Sequence, residues 1–135
     1  MATFTKVDSL NENIAEKVHN LGADTLMVAL TNTAPTTANT VLANITEIAY
    51  TNISSRTLTT TSSSTSAGVY RLVLADLTLT ATGAVGPFRY AVIYNNTATN
   101  KELIGFADYG SSISLANGET LRLDFDNVNG LLAIS

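Results

Sequence analysis

Apolar and polar residues alternate with a period of two along much of the chain, most regularly between residues 86 and 135. Successive side chains of a strand point to opposite faces of a sheet, so this pattern predicts antiparallel strands joined by tight turns. The alternating segments are residues 24–31, 68–83, 88–94, 103–109, 113–115, 120–126 and 131–134. We expect residues 88–94, whose aromatic row is opposed by Arg89, Ala91 and Ile93, to form a central strand.

One hydrophobic core is predicted from the apolar faces of these strands. Its expected members are Leu26, Val28, Leu30, Tyr70, Leu72, Leu74, Phe88, Tyr90, Val92, Phe106, Leu121, Leu123 and Phe125. The pairs Asn117–Gly118 and Asn129–Gly130 predict tight hairpin turns, and such a turn requires a positive φ at Gly118. Residues 83–87 are predicted to form a further turn.

A single helix is predicted over residues 9–21. Ser9 followed by Glu12 fits a capping box, and apolar residues recur there at three- and four-residue steps. Gly22 is expected to end the helix in a left-handed conformation. Residues 1–7 would then form an extended N-terminal arm.

Two segments have less definite patterns. Residues 41–50 are compatible with either a short helical turn or a strand. Residues 56–66 consist largely of Thr and Ser and resemble a linker in composition, but their β-branched threonines favour a polar strand followed by a turn at residues 62–66. The whole pattern predicts one domain, residues 1–135, that is mainly β: an antiparallel β-sandwich, jelly-roll-like, with one N-terminal α-helix.

The composition narrows the classes of function. The chain is 45% hydrophobic but only 13% charged, which favours a subunit packed among copies of itself or partners. Its net charge is −4 and its basic residues are scattered, so we expect no nucleic-acid partner. The absence of cysteine excludes disulfides and thiolate chemistry. No apolar stretch is long enough for a membrane span or signal peptide, which predicts synthesis in a cytoplasm.

Candidate chemistry is sparse. His19, the sole histidine, is expected to be a structural residue near a helix end, because a general base needs a nucleophile or an orienting carboxylate beside it. Asp124 and Asp126 alternate on a polar strand face, and the segment that follows them lacks the ligands of a calcium loop. The aromatic residues Tyr90, Tyr94, Phe106 and Tyr109 could form a platform for sugars, but a place in the core is favoured. We therefore expect no catalytic residues, no metal and no cofactor.

Two stretches of the sequence carry a resemblance to a known family. They are His19 to Pro35 and Gly86 to Ser135, with the motifs Tyr90-Ala91-Val92-Ile93-Tyr94-Asn95-Asn96-Thr97-Ala98-Thr99, Leu103-Ile104-Gly105 and Asp108-Tyr109-Gly110. In these motifs the chain resembles a family of small virion structural proteins of tailed bacteriophages. The resemblance implies a non-enzymatic component of the phage particle. Within it, a capsid decoration or cement protein is favoured, and a tail component, either a tube subunit or a fibre and receptor-binding module, is the alternative.

The expected partners are the major capsid protein or other virion proteins, together with further copies of the chain. Neither nucleic acid nor a membrane is expected as a partner. We predict contacts through the N-terminal arm and through the loops at residues 32–39 and 95–102. The predicted interface residues are Ala2, Thr3, Phe4, Thr5, Lys6, Val7, Thr33, Pro35, Thr36, Asn95, Asn96 and Lys101. Removal of residues 2–7 is expected to weaken assembly while leaving the fold intact.

Overall fold

The computed structural model describes residues 4–135 and is mainly β, with 48% of residues in strands and 7% in helices. The strands are β1 (Phe4–Lys6), β2 (Leu26–Thr31), β3 (Thr60–Ser66), β4 (Val69–Leu74), β5 (Leu77–Thr80), β6 (Val85–Asn95), β7 (Leu103–Leu115), β8 (Thr120–Leu123) and β9 (Leu132–Ile134). The helix α1 spans Leu10–Ala15, and a 3₁₀ helix spans Leu42–Asn44. Across residues 4–135, no helix combines the length and apolar character needed to cross a bilayer.

All strand pairs are antiparallel and form three sheets. The strand orders are β1-β7-β6-β2 in a four-stranded sheet, β3-β4-β9 in a three-stranded sheet and β5-β8 in a two-stranded sheet. The predicted fold class, mainly β with antiparallel sheets and one short helix near the N-terminus, is confirmed. The prediction of a central aromatic strand is also confirmed, because β6 has a partner on each side.

The sheets enclose one hydrophobic cluster that contains most of the predicted core. Nine predicted members are buried: Leu26, Val28, Leu30, Leu72, Leu74, Phe88, Val92, Leu123 and Phe125. Three more are partly buried and pack against the cluster: Tyr70, Phe106 and Leu121. Tyr90 is wrong as a core residue, because the register of β6 against β7 shifts between Phe88 and Tyr90 and the alternation does not continue through the shift. From Ala91 to Asn95 both faces of β6 are buried.

The predicted helix is longer than the observed one. α1 ends at Ala15, and the chain turns at Lys17, whose φ is 65°. The Val18 amide donates to the Asn13 carbonyl at 2.8 Å and the Lys17 amide donates to the Ile14 carbonyl at 3.3 Å, which are the two bonds of a Schellman motif. The lysine therefore takes the left-handed position predicted for Gly22. The predicted capping box is also wrong, because the Ser9 side chain makes no capping hydrogen bond.

The described part of the N-terminal arm belongs to the sheet. Phe4–Lys6 forms β1 and pairs with β7, and Val7 is only 3% exposed. Ala2 and Thr3 lie outside the described residues. The expectation that residues 2–7 could be removed with the fold intact is wrong, because the deletion would remove an edge strand and a core valine.

Several turns differ from prediction. Gly118 has the expected positive φ of 86°, and the Glu119 amide donates to the Ala116 carbonyl at 3.0 Å. However, neither predicted hairpin exists, because β8 pairs with β5 and β9 pairs with β4. The segment assigned to a turn at residues 62–66 is strand, and β3 returns to β4 through Ala67 and Gly68. The predicted turn at residues 83–87 is shorter, because β6 begins at Val85.

The segment between the 3₁₀ helix and β3 covers the free side of β2. The Ile48 amide donates to the Leu30 carbonyl at 3.0 Å, and the Leu58 amide donates to the Leu26 carbonyl at 2.9 Å. Tyr50 accepts a hydrogen bond from the Leu30 amide at 2.9 Å and stacks beneath Arg56, 3.6 Å from the ring centre. Burial raises the pKa of the Tyr50 hydroxyl, so this hydroxyl stays protonated.

Candidate functional site

Residues within or next to the three predicted interface segments meet at one end of the four-stranded sheet. The Asp8 amide, just after β1, donates to the Thr37 carbonyl at 2.9 Å. The Leu103 amide donates to the Thr40 carbonyl at 2.9 Å, and the Leu42 amide donates to the Lys101 carbonyl at 3.0 Å. We call this surface, formed by residues 4–8, 36–42 and 95–102, the loop end. Its segments are hydrogen-bonded to one another through the backbone, so it presents a connected surface. Thr33 lies apart from it, beside Thr31 at the end of β2 away from Asn95.

The predicted interface residues differ in accessibility. Lys6, Thr33 and Thr36 are exposed, and Phe4, Thr5, Asn96 and Lys101 are half-buried. Val7, Pro35 and Asn95 are buried and therefore present little surface to a partner. The accessible group consists mainly of neutral side chains. Of its two lysines, Lys101 donates its ammonium to the Asn96 carbonyl at 2.7 Å.

Asn95 is the centre of a buried polar network behind this surface. Its side chain is fully buried at 0% exposure, and its Oδ1 accepts the amides of Thr97 at 3.0 Å and Ala98 at 3.2 Å. Its Nδ2 lies 2.7 Å from Asp24 Oδ2, to which it donates, and 2.9 Å from His19 Nδ1. The network thus ties the turn after β6 to the segment that follows α1.

His19 and Glu102 contribute the least satisfied atoms of the network. They are 5% and 9% exposed, and His19 Nε2 and Glu102 Oε2 are both buried without a hydrogen-bond partner. Burial lowers the pKa of the His19 imidazole below its ordinary value, although the Glu102 and Asp24 carboxylates and the Leu103 carbonyl act in the opposite direction. A neutral His19 accepts from the Asn95 amide through Nδ1 and carries its proton on Nε2.

A cleft of about 400 Å³ opens beside the network. Its lining includes Lys17, Asp24, Thr97, Asn100 and Glu102. Asp24 Oδ2 is already engaged, because it accepts the Asn20 amide at 2.9 Å in addition to the Asn95 amide. The Asp24 carboxylate therefore serves chiefly to hold the two loops together.

The described side-chain contacts of His19 and of Asp126 are with neighbouring amide groups. Within residues 4–135, no hydroxyl group is hydrogen-bonded to His19 as a nucleophile would be. The same part of the chain contains no cluster of three or more His, Asp or Glu side chains that could hold a metal ion. Asp126 accepts the amides of Val128 and Asn129, each at 2.8 Å, and these bonds lower its pKa. That carboxylate closes a turn.

The four aromatic residues considered as a sugar platform do not share one surface. Tyr94 is buried, and Phe106 and Tyr109 pack against the core. Tyr90 lies outside the core, with the Arg89 guanidinium 5.4 Å from its ring centre. The core assignment is confirmed for three of the four residues and is wrong for Tyr90.

Sequence reasoning missed the polar network. One local signal was present, because an asparagine followed by Asn96 and Thr97 at the end of a strand is typical of a side chain that accepts nearby backbone amides. The contacts of Asn95 with His19 and Asp24 span 76 and 71 residues, so the folded chain is needed to reveal them.

No protein-family model matches the chain, and no curated protein or solved structure matches it either.

Proposed function

We propose that the protein is a structural component of a phage virion, namely a capsid decoration or cement protein that stabilises the head through self-association and contacts with the major capsid protein. It acts by binding and carries out no reaction. The proposal rests on the sequence resemblance described above and on one structural observation, the convergence of three loop segments into the loop end.

The loop end is suited to attachment for a physical reason. Its segments are fixed by backbone hydrogen bonds, so a partner would order few residues on binding, and this lowers the entropic cost of association. Thr36 and Thr99 are exposed and uncharged, so a shell protein could pack over them without desolvating a charge. The buried Asn95 network supports this surface from behind.

The proposal is tested with particles of a phage that encodes the chain and particles of the same phage deleted for it. Purified protein is added back to the deleted particles, and the bound amount is measured against the major capsid protein. A decoration protein should saturate at a copy number approaching that of the major capsid protein. Saturation at a few copies on tails would replace this role with the tail alternative, and absence of binding to either structure would overturn the proposal.

A charge variant locates the attachment surface. Thr36→Glu combined with Thr99→Glu places two carboxylates on exposed positions of the loop end and should weaken attachment by roughly tenfold or more. Thr78→Glu combined with Thr80→Glu is the matched control, because it adds the same charge to exposed positions of β5. Equal binding by the two variants would contradict attachment through the loop end.

A further inference from the structure

The edges of the three sheets differ in how they are protected against pairing with another chain. β1 and β9 have three residues each, and the exposed Lys6 lies on β1. β2 is covered by residues 47–58, as described above. β5 is bordered by Ser54, whose amide donates to the Thr80 carbonyl at 3.0 Å. β8 has four residues and carries Arg122, which pairs with Asp76. Short length, coverage and charge are the usual devices that prevent edge-to-edge association.

β3 has none of these devices. It is the seven-residue outer strand of the order β3-β4-β9, and all its side chains are Ser or Thr. The Thr60–Ser66 strand contains one irregularity, between Thr60 and Ser62, and is regularly paired from Ser62 to Ser66. In the described part of the chain, no other segment is hydrogen-bonded through its backbone to the outer side of that regular part.

The turn between β3 and β4 determines which backbone groups of β3 face outward. Ala67 and Gly68 have φ values of 51° and 79°, and positive φ at both central residues is the signature of a type I′ turn. Ser66 and Val69, which close the turn, are then a hydrogen-bonded pair. Because hydrogen-bonded and non-hydrogen-bonded pairs alternate, Ser64 and Ser62 also point their amides and carbonyls towards β4. The outward groups are those of Ser63 and Thr65.

We propose that β3 pairs antiparallel with β3 of a second copy of this chain, with the two-fold axis at Ser64. Ser63 of each copy lies opposite Thr65 of the other, and the four outward backbone groups on each side form four hydrogen bonds. Ser64 lies opposite its own counterpart, in a non-hydrogen-bonded pair. This inference rests on the proposed role in assembly and identifies the self-association surface within it.

A second copy is the favoured occupant because the edge is neutral and its register is self-complementary. The pairing opposes only Ser and Thr side chains, so no like charges meet directly. The nearest charged residue across the sheet is Arg71, which lies opposite Ser64 on β4. In the pair, the two Arg71 backbones are three strand spacings apart, about 14 Å, which exceeds the screening length at physiological salt.

The surface beside β3 extends the contact. A groove of about 360 Å³ on the outer face is lined by Ser64, Arg71 and Val128 among other residues. Val128 is 75% exposed and adds an apolar side chain to this face. Pairing through β3 places the two grooves on one continuous face.

A cysteine placed at the axis tests the proposed register, since the natural chain has no cysteine. Opposing residues of a non-hydrogen-bonded pair have Cα atoms about 4.5 Å apart, which a disulfide can bridge. Ser64→Cys should therefore form a covalent dimer under mild oxidation. Ser66→Cys is the matched control on the same strand and face, and its two copies would be about 14 Å apart. The proposal is overturned if Ser64→Cys stays monomeric or if Ser66→Cys forms dimers equally fast.

A charge swap tests the pairing without a covalent link. Ser64→Lys opposes two ammonium groups at the axis and should raise the dimer dissociation constant, measured by sedimentation, by roughly tenfold or more. An equimolar mixture of Ser64→Lys and Ser64→Glu should recover the dimer. Thr78→Lys on β5 is the control and should leave the constant unchanged. A monomeric natural chain, or a mixture that fails to recover, would contradict the pairing.

The add-back assay separates this inference from the proposed function. If Ser64→Lys binds the deleted particles as well as the natural chain does, and the Ser64→Cys variant bound to them shows no covalent dimer, β3 pairing is wrong while the virion role stands. If the natural chain forms the β3 dimer in solution but binds no particle, the virion role is wrong while the pairing stands.

Discussion

Truncation of Asn95 is the most direct perturbation of the polar network. Asn95→Ala removes the side-chain contacts with His19 and Asp24, which join the turn after β6 to the segment after α1. It leaves the Ala98 amide and the His19 ring buried with one partner fewer. Loss of a partner by a buried polar group costs more than the hydrogen bond was worth, because the group cannot return to water.

The size of the effect follows from the four contacts. Bonds between neutral groups contribute about 1 kcal/mol each, and a bond to a charged carboxylate contributes about 1.5–3 kcal/mol. Asp24 is half-buried and Thr97 is exposed, so water can replace part of what these two residues lose. We therefore expect Asn95→Ala to lower the free energy of unfolding by about 3–5 kcal/mol, a large share of the 5–15 kcal/mol typical of a domain.

Urea denaturation followed by circular dichroism measures this loss. The neighbouring Asn96→Ala is the matched control, because Asn96 is half-buried and its known contacts run through its backbone. It should change the free energy of unfolding by less than about 0.5 kcal/mol. A loss below about 1 kcal/mol for Asn95→Ala, or equal losses for both variants, would refute the assignment of Asn95 as the structural centre of the network.

Three further predictions concern the core, a turn and the histidine. Phe88 is 0% exposed, so Phe88→Ala should lower the free energy of unfolding by about 3–5 kcal/mol in the same urea assay, and a loss under about 1 kcal/mol would contradict its core position. Gly118 has a φ of 86° with no atom within 4 Å of an added Cβ, so Gly118→Val should cost about 1–2 kcal/mol through backbone strain alone; an unchanged midpoint would argue against that conformation. Because the pKa of His19 is lowered in the folded state, stability should be full above pH 6.5 and should fall as the pH decreases through the folded value, with a slope of at most about 1.4 kcal/mol per pH unit. His19→Gln should flatten the profile between pH 7 and 5, where the aspartates of lowered pKa stay ionised, and a slope unchanged by the substitution would assign it to another group.

The strands were predictable because the alternation of apolar and polar residues that identifies them is a local property of the sequence. Alternation along β2, β4 and β6 identified the buried faces of Leu26, Leu72 and Phe88 without knowledge of their partners. The same reasoning failed at Tyr90, where a register shift between β6 and β7 changes the direction of the side chains. Such a shift depends on the partner strand, and the pattern of one strand does not contain it.

The ends of the elements depended on distant contacts. The apolar spacing through Val18 and Leu21 predicts a helix that continues past Ala15, yet the chain leaves the helix at Lys17. A left-handed lysine is unfavourable in isolation. It places His19 against Asn95, which is 76 residues away, and that contact could not be anticipated from local sequence. The Asn117–Gly118 turn was recognisable, but the partner of β8 was not.

Three of the arginines in this weakly charged chain make contacts within the molecule. Arg89 pairs with Asp108 at 2.8 Å, Arg122 pairs with Asp76, and Arg56 stacks on Tyr50. These arginines are engaged by groups of the same chain, and the two ion pairs join positions 19 and 46 residues apart. The strand β3 and the exposed threonines of the loop end carry no charge at all. A neutral surface lacks the charge repulsion that keeps soluble proteins apart, and an uncharged open edge lacks protection against strand pairing. Both features occur on surfaces that we propose for assembly, where they would favour association with other subunits of a particle.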